Sequence, residues 1–189
     1  MEISNAVIAG VISIVVAIVV VAVNLYGKRK EIKIMQCDKN SQIIKKFNQD
    51  VIKAYDSVDG EADKELLVCQ DTSKDYPRGE GAAFKNKIKI LEGIVQYADS
   101  CIDEMVKNTF NAILDDMAKY HDNLCLINVL DCQSKGYQST GAPYGTQTYQ
   151  AAATQNAKNI GNAANAMMKC ENLKKHWRSL YQSVVNKLK

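Results

Sequence analysis

Hydrophobic and polar positions divide the chain into one uniformly apolar run followed by several amphipathic stretches. From Ala6 to Val23 it reads AVIAGVISIVVAIVVVAV, with no charge and a single hydroxyl, Ser13. A helix rises about 1.5 Å per residue, so about 20 apolar residues cross a ~30 Å hydrocarbon layer. The run from about Ile3 to Tyr26 meets that length and is apolar on every face. It predicts an N-terminal transmembrane anchor over residues 1–27. The anchor is expected to be retained: Glu2 stands where a signal peptide carries Lys or Arg, and no A-x-A site closes the run. Ala9, Ser13 and Ala17 form a small-residue stripe of the kind along which membrane helices pack.

Lys28, Arg29, Lys30 and Lys33 follow the run directly. This basic flank would lie at the membrane surface and, by the positive-inside rule, put the rest of the chain on the cytosolic side. The expected localisation is therefore single-pass, with the lipid bilayer as a partner.

Residues 28–189 read as one helical-bundle domain. Between Lys28 and Val58, Cys37, Ile44, Val51 and Val58 recur at heptad spacing, with Phe47 and Ala54 between them. Asp59–Gly60 predicts the end of that helix, and a short helix is expected from Glu61 to Gln70. A second long helix is expected from Ala82 to about Tyr120. Its stripe Phe84, Ile88, Leu91, Val95, Ala98, Ile102 and Met105 shifts to Val106, Phe110, Ile113 and Met117, which reads as a stutter. Residues 121–149 read as a long irregular loop, in which Tyr137, Tyr144 and Tyr149 are the candidate partner contacts. The last helix runs from about Gln150 to Leu188, with Leu173, Trp177, Leu180, Tyr181, Val184 and Leu188 on one face and Trp177 as a core residue. The fold class is therefore all-α: an anchor, then an antiparallel bundle of three long helices and a short one.

Composition supports helix over sheet, since Pro77 and Pro143 are the only prolines and aromatics make up 7%. The net charge of +3 gives no case for nucleic acid. Charge is uneven, however. Asp50 to Asp116 leans acidic, while Lys169, Lys174, Lys175, Arg178, Lys187 and Lys189 face a lone Glu171. Neighbouring helices of a bundle would pair these opposite charges.

Candidate chemistry is sparse. His121 and His176 are the only histidines. His121 stands four residues before Cys125, the spacing of a shared helix face, and nothing else in the sequence completes a Cys–His nucleophile. No phosphate-loop, metalloprotease, calcium-loop or nucleophile-elbow motif occurs. No enzyme activity, cofactor, metal or small-molecule substrate is expected. The six cysteines, Cys37, Cys69, Cys101, Cys125, Cys132 and Cys170, include no CxxC. Their scatter over separate segments suits three disulfide bridges in an oxidising setting, whose fifteen possible pairings the spacing leaves open.

The function these features suggest is non-enzymatic: a helical domain held at a membrane with a structural or interaction role among other protein subunits or further copies of itself. A virion membrane component or an accessory subunit of a membrane complex both fit. A pilin-like filament subunit is the alternative, although no basic leader precedes the run and no Glu stands at its fifth position. A membrane-tethered enzyme using His121 and Cys125 is a third reading.

Overall fold

The computed structural model describes the backbone of residues 2–70, 81–138 and 144–188, and the side chains of residues 19–69, 81–134 and 144–188. Four helices occur among them: α1, Glu2–Gln70; α2, Ala82–Gln96; α3, Glu104–Gln138; and α4, Gln147–Leu188. The chain divides into two units, Met1–Ile44 and Lys45–Lys189.

In the first unit every described side chain is exposed except that of half-buried Ile43. Among the described residues, no helix is long and apolar enough to cross a membrane. This overturns the expected transmembrane anchor, the bilayer partner and the single-pass localisation. Of the apolar run only Val19–Tyr26 falls among the described side chains, and from Lys28 onward the same helix is charged, so no described stretch approaches the required ~20 residues. The virion-membrane, membrane-complex and pilin-like roles rested on that anchor and go with it. Ala9, Ser13 and Ala17 lie outside the described side chains.

The second unit is the bundle. Within it α1 buries Phe47, Val51, Tyr55, Val58, Ala62, Leu66 and Cys69. The helix passes through Gly60 where a stop was expected, and no separate short helix forms. Tertiary packing outweighs the roughly 1 kcal/mol cost of one glycine, because Ala62 and Leu66 go into the core.

The expected second helix is instead two. α2 buries Phe84, Leu91 and Val95 and ends as Tyr97 N donates to Gly93 O. In the turn that follows, Asp99 Oδ1 accepts from Cys101 N at 3.2 Å. Asp103 then caps α3 by accepting from Met105 N at 2.8 Å. The apparent stutter is this turn. At the other end of α2, Gly81 adopts φ 63°, and a Cβ there would come 3.1 Å from the His121 ring. Only glycine meets both conditions without strain.

α3 continues to Gln138, so residues 121–138 are helical and not the expected loop. Leu124, Ile127 and Leu130 carry the core stripe of Phe110, Ile113, Met117 and Tyr120 onward. α4 runs antiparallel to α3: Lys187 pairs with Asp103, Phe110 meets Tyr181, and Cys170 Sγ donates to Tyr120 O. It is antiparallel to α1 as well, with Tyr55 stacked on Tyr181 at 3.7 Å and Lys174 bonded to Asp63. α1 stops at Gln70, level with Asn128 of α3, to which Cys69 Sγ donates at 3.7 Å. Beyond that level α1 no longer accompanies α3 and α4.

All six cysteines carry thiols, which overturns the expected disulfides. Cys69 and Cys170 are buried and serve as small apolar residues with weak S–H donors; Cys101 and Cys125 are half-buried; Cys37 and Cys132 are exposed.

Candidate functional site

α4 presents charged and polar groups on two sides of its axis. Lys174, Trp177 and Arg178 face α1, where Asp59 and Asp63 stand one turn apart. Arg178 lays its guanidinium fork on Asp59, with Nε to Oδ1 at 2.9 Å and Nη2 to Oδ2 at 2.8 Å. The same Nη2 reaches Asp63 Oδ2 at 2.9 Å, and Lys174 Nζ donates to Asp63 Oδ1 at 2.7 Å. Trp177, fully buried, donates its indole N–H to Asp59 Oδ1 at 2.8 Å. Tyr120 OH, buried below, donates to the Ala62 carbonyl at 2.8 Å. Burial alone would raise the Asp63 carboxyl, but the hydrogen bonds from Lys174 and Arg178 outweigh it and hold the group below its ordinary range. The hydrogen bonds that Arg178 donates to Asp59 hold its guanidinium above the ordinary range. Each carboxylate meets at least two donors, so this seam is a closed clamp between α1 and α4.

The side of α4 that faces α3 differs. Lys169, Asn172, Leu173 and His176, with Lys119 and Asn123 of α3, line an open groove of about 450 Å³. His176 Nδ1 lies 2.5 Å from Asp116 Oδ2. Asp116 is 7% exposed, whereas the His176 side chain is 62% exposed. The buried carboxylate therefore keeps a proton on Nδ1 and leaves Nε2 at the outer edge of the ring. Asn123 uses one amide N–H on the Lys119 carbonyl at 2.7 Å and keeps a second. Lys119 also pairs with Asp115 at 2.5 Å, an exposed contact between residues one turn apart that solvent screens. Among the described residues no carboxylate lines the groove itself.

Where they are described, the residues singled out from sequence lie in separate places. Lys28, Arg29, Lys30 and Lys33 are exposed on α1, where Arg29, Lys30 and Lys33 border an open depression with Tyr26, Ile32 and Gln36. Tyr144 and Tyr149 contact each other with ring centroids 5.0 Å apart, and the side chain of Tyr137 lies outside the described residues. His121 and Cys125 do approach, but Sγ is 3.9 Å from both Nδ1 and Nε2. A hydrogen bond along one ring N–H direction would leave the sulfur much farther from the other nitrogen. The thiol therefore packs against the ring rather than being activated by it.

The groove was missed because its parts lie on two helices about fifty residues apart in sequence. The legible signal was the spacing of Lys169, Asn172 and His176, which puts them on one face of a helix. No family model, curated protein or solved structure matches this chain.

Proposed function

We propose that the bundle is a non-enzymatic binding module whose α3–α4 groove receives the anionic group of a small ligand, a carboxylate or a phosphate. The observation that supports this is the lining: two ammonium groups, two amides and an imidazole edge converge on one hollow that no carboxylate borders. Like charges gathered at a surface repel one another, and an anion between them removes that repulsion while accepting several hydrogen bonds. Asp116 fixes the orientation of the His176 ring by accepting from its Nδ1.

The same lining argues for binding rather than catalysis. An Asp–His pair activates a nucleophile in hydrolases, and among the described residues no Ser, Thr or Cys borders the groove to be activated. Because the groove is open to water, the expected affinity is modest, about millimolar for a single small anion.

Calorimetric titration with inorganic pyrophosphate and with citrate tests the reading and separates the two ligand chemistries. Saturable binding of either one, weakened at least tenfold in Lys169→Glu, is expected. Binding that Lys169→Glu leaves unchanged, or none at 10 mM ligand (on the order of ten times the expected Kd), contradicts it.

A further inference from the structure

A buried neighbour fixes the hydrogen-bonding sense of one group that lines the α3–α4 groove. His176 Nδ1 lies 2.5 Å from Oδ2 of Asp116, a residue of α3 that is only 7% exposed. An ionised carboxylate can only accept, so the proton of the ring sits on Nδ1. In the neutral imidazole Nε2 is then a bare acceptor. Among the described residues nothing donates to it, and the ring borders the groove.

The other lining groups carry no such constraint. Lys119 and Lys169 donate to whatever approaches, and the amides of Asn123 and Asn172 offer N–H as readily as C=O. The carboxylates near the ring are engaged elsewhere: Asp115 of α3 pairs with Lys119, and Asp59 and Asp63 of α1 are taken up by Arg178 and Lys174. Hydrogen phosphate and sulfate are both tetrahedral dianions, so the two lysines attract them alike. They differ by one proton. Hydrogen phosphate has an O–H to give to Nε2, whereas sulfate can only set a lone pair against it.

Resting on the reading of this groove as an anion site, we propose that it selects an oxyanion with an O–H of its own, hydrogen phosphate being the simplest, over one without, such as sulfate. His176 determines the specificity, and Asp116 is the positioning residue that holds its tautomer. A site that accepts from a ligand hydroxyl discriminates against the analogue lacking it. Water reaches this ring, so the preference is about threefold to tenfold, far below that of an enclosed site. A second ring proton turns Nε2 into a donor, and sulfate then gains the hydrogen bond it lacked.

Calorimetric titration of the full chain with inorganic phosphate and with sulfate tests this, at a pH where the His176 ring-nitrogen NMR signals show a neutral imidazole and phosphate is the dianion. Those signals should report the Nδ1–H tautomer. Hydrogen phosphate should bind at least threefold more tightly than sulfate, and His176→Phe should bring the two affinities within about twofold of each other. Acidification until the ring is doubly protonated should tighten sulfate binding in the wild-type chain and not in His176→Phe, since sulfate keeps its charge throughout. Equal affinity for the two anions, an Nε2–H tautomer, a preference that His176→Phe retains, or sulfate binding indifferent to the ring's second proton would each overturn the selectivity while leaving the groove an anion site. Binding of neither anion would overturn both.

Discussion

The α1–α4 seam and the α3–α4 groove both draw cationic and polar side chains from α4, yet they are differently surrounded. In the seam, Arg178 and Lys174 meet Asp59 and Asp63 at 2.7–2.9 Å, and Trp177 closes the cluster from within the core. In the groove, Lys119, Lys169 and His176 surround a hollow with no carboxylate on its rim. The difference lies in where the acids stand. α1 places two of them one turn apart opposite the cations, whereas α3 buries Asp116 behind His176. The seam's cations are paired across the two helices, whereas Lys119 pairs only along its own helix with Asp115.

If the seam holds the fold, its largest single contribution is Trp177. Trp177→Ala should lower unfolding stability by about 3–5 kcal/mol in urea titrations, since it leaves a cavity and removes a donor from Asp59. Arg178→Ala should cost less, about 1–2 kcal/mol, because the guanidinium is partly exposed and water relieves the carboxylates it leaves. Arg178→Lys should recover only part of that loss, as an ammonium cannot engage Asp59 with two parallel bonds.

A pH series sharpens the contrast further. Because the folded state holds the Asp63 carboxyl below its ordinary value, its stabilisation is fully present above the unfolded value of about 4 and disappears as the pH falls through the lower folded value. Thermal melts should therefore show stability dropping on acidification, and Asp63→Asn should flatten that dependence. Lys169→Glu lies at the small end. In the groove it should change stability by no more than about 0.5 kcal/mol, as expected for an exposed position. A large loss there would make the groove structural and erase the distinction.

Much of the helical content was legible in the sequence, and much of its punctuation was not. Trp177, Tyr181, Val184 and Leu188 are buried as their spacing predicts, and the acidic middle does pair with the basic end of the chain. Asp99 and Asp103 were missed as a break because the apolar spacing runs straight through them, and a capping carboxylate leaves no mark on that pattern. Residues 121–138 looked like loop because Gly136 and the polar run after Cys132 lower helix propensity; α4 packing against α3 overrides it. Asp116 and His176 could not be paired from sequence, because the contact depends on the register of two antiparallel helices.

The central claim is that the seam is closed and the groove is open to anions. One NMR titration with inorganic phosphate, following the His176 ring and the Trp177 indole N–H in the same sample, tests both halves. The account predicts a saturable shift of the His176 signals with the Trp177 signal unmoved. A stationary His176 ring, or a Trp177 indole that moves as far as the His176 ring does, would contradict it.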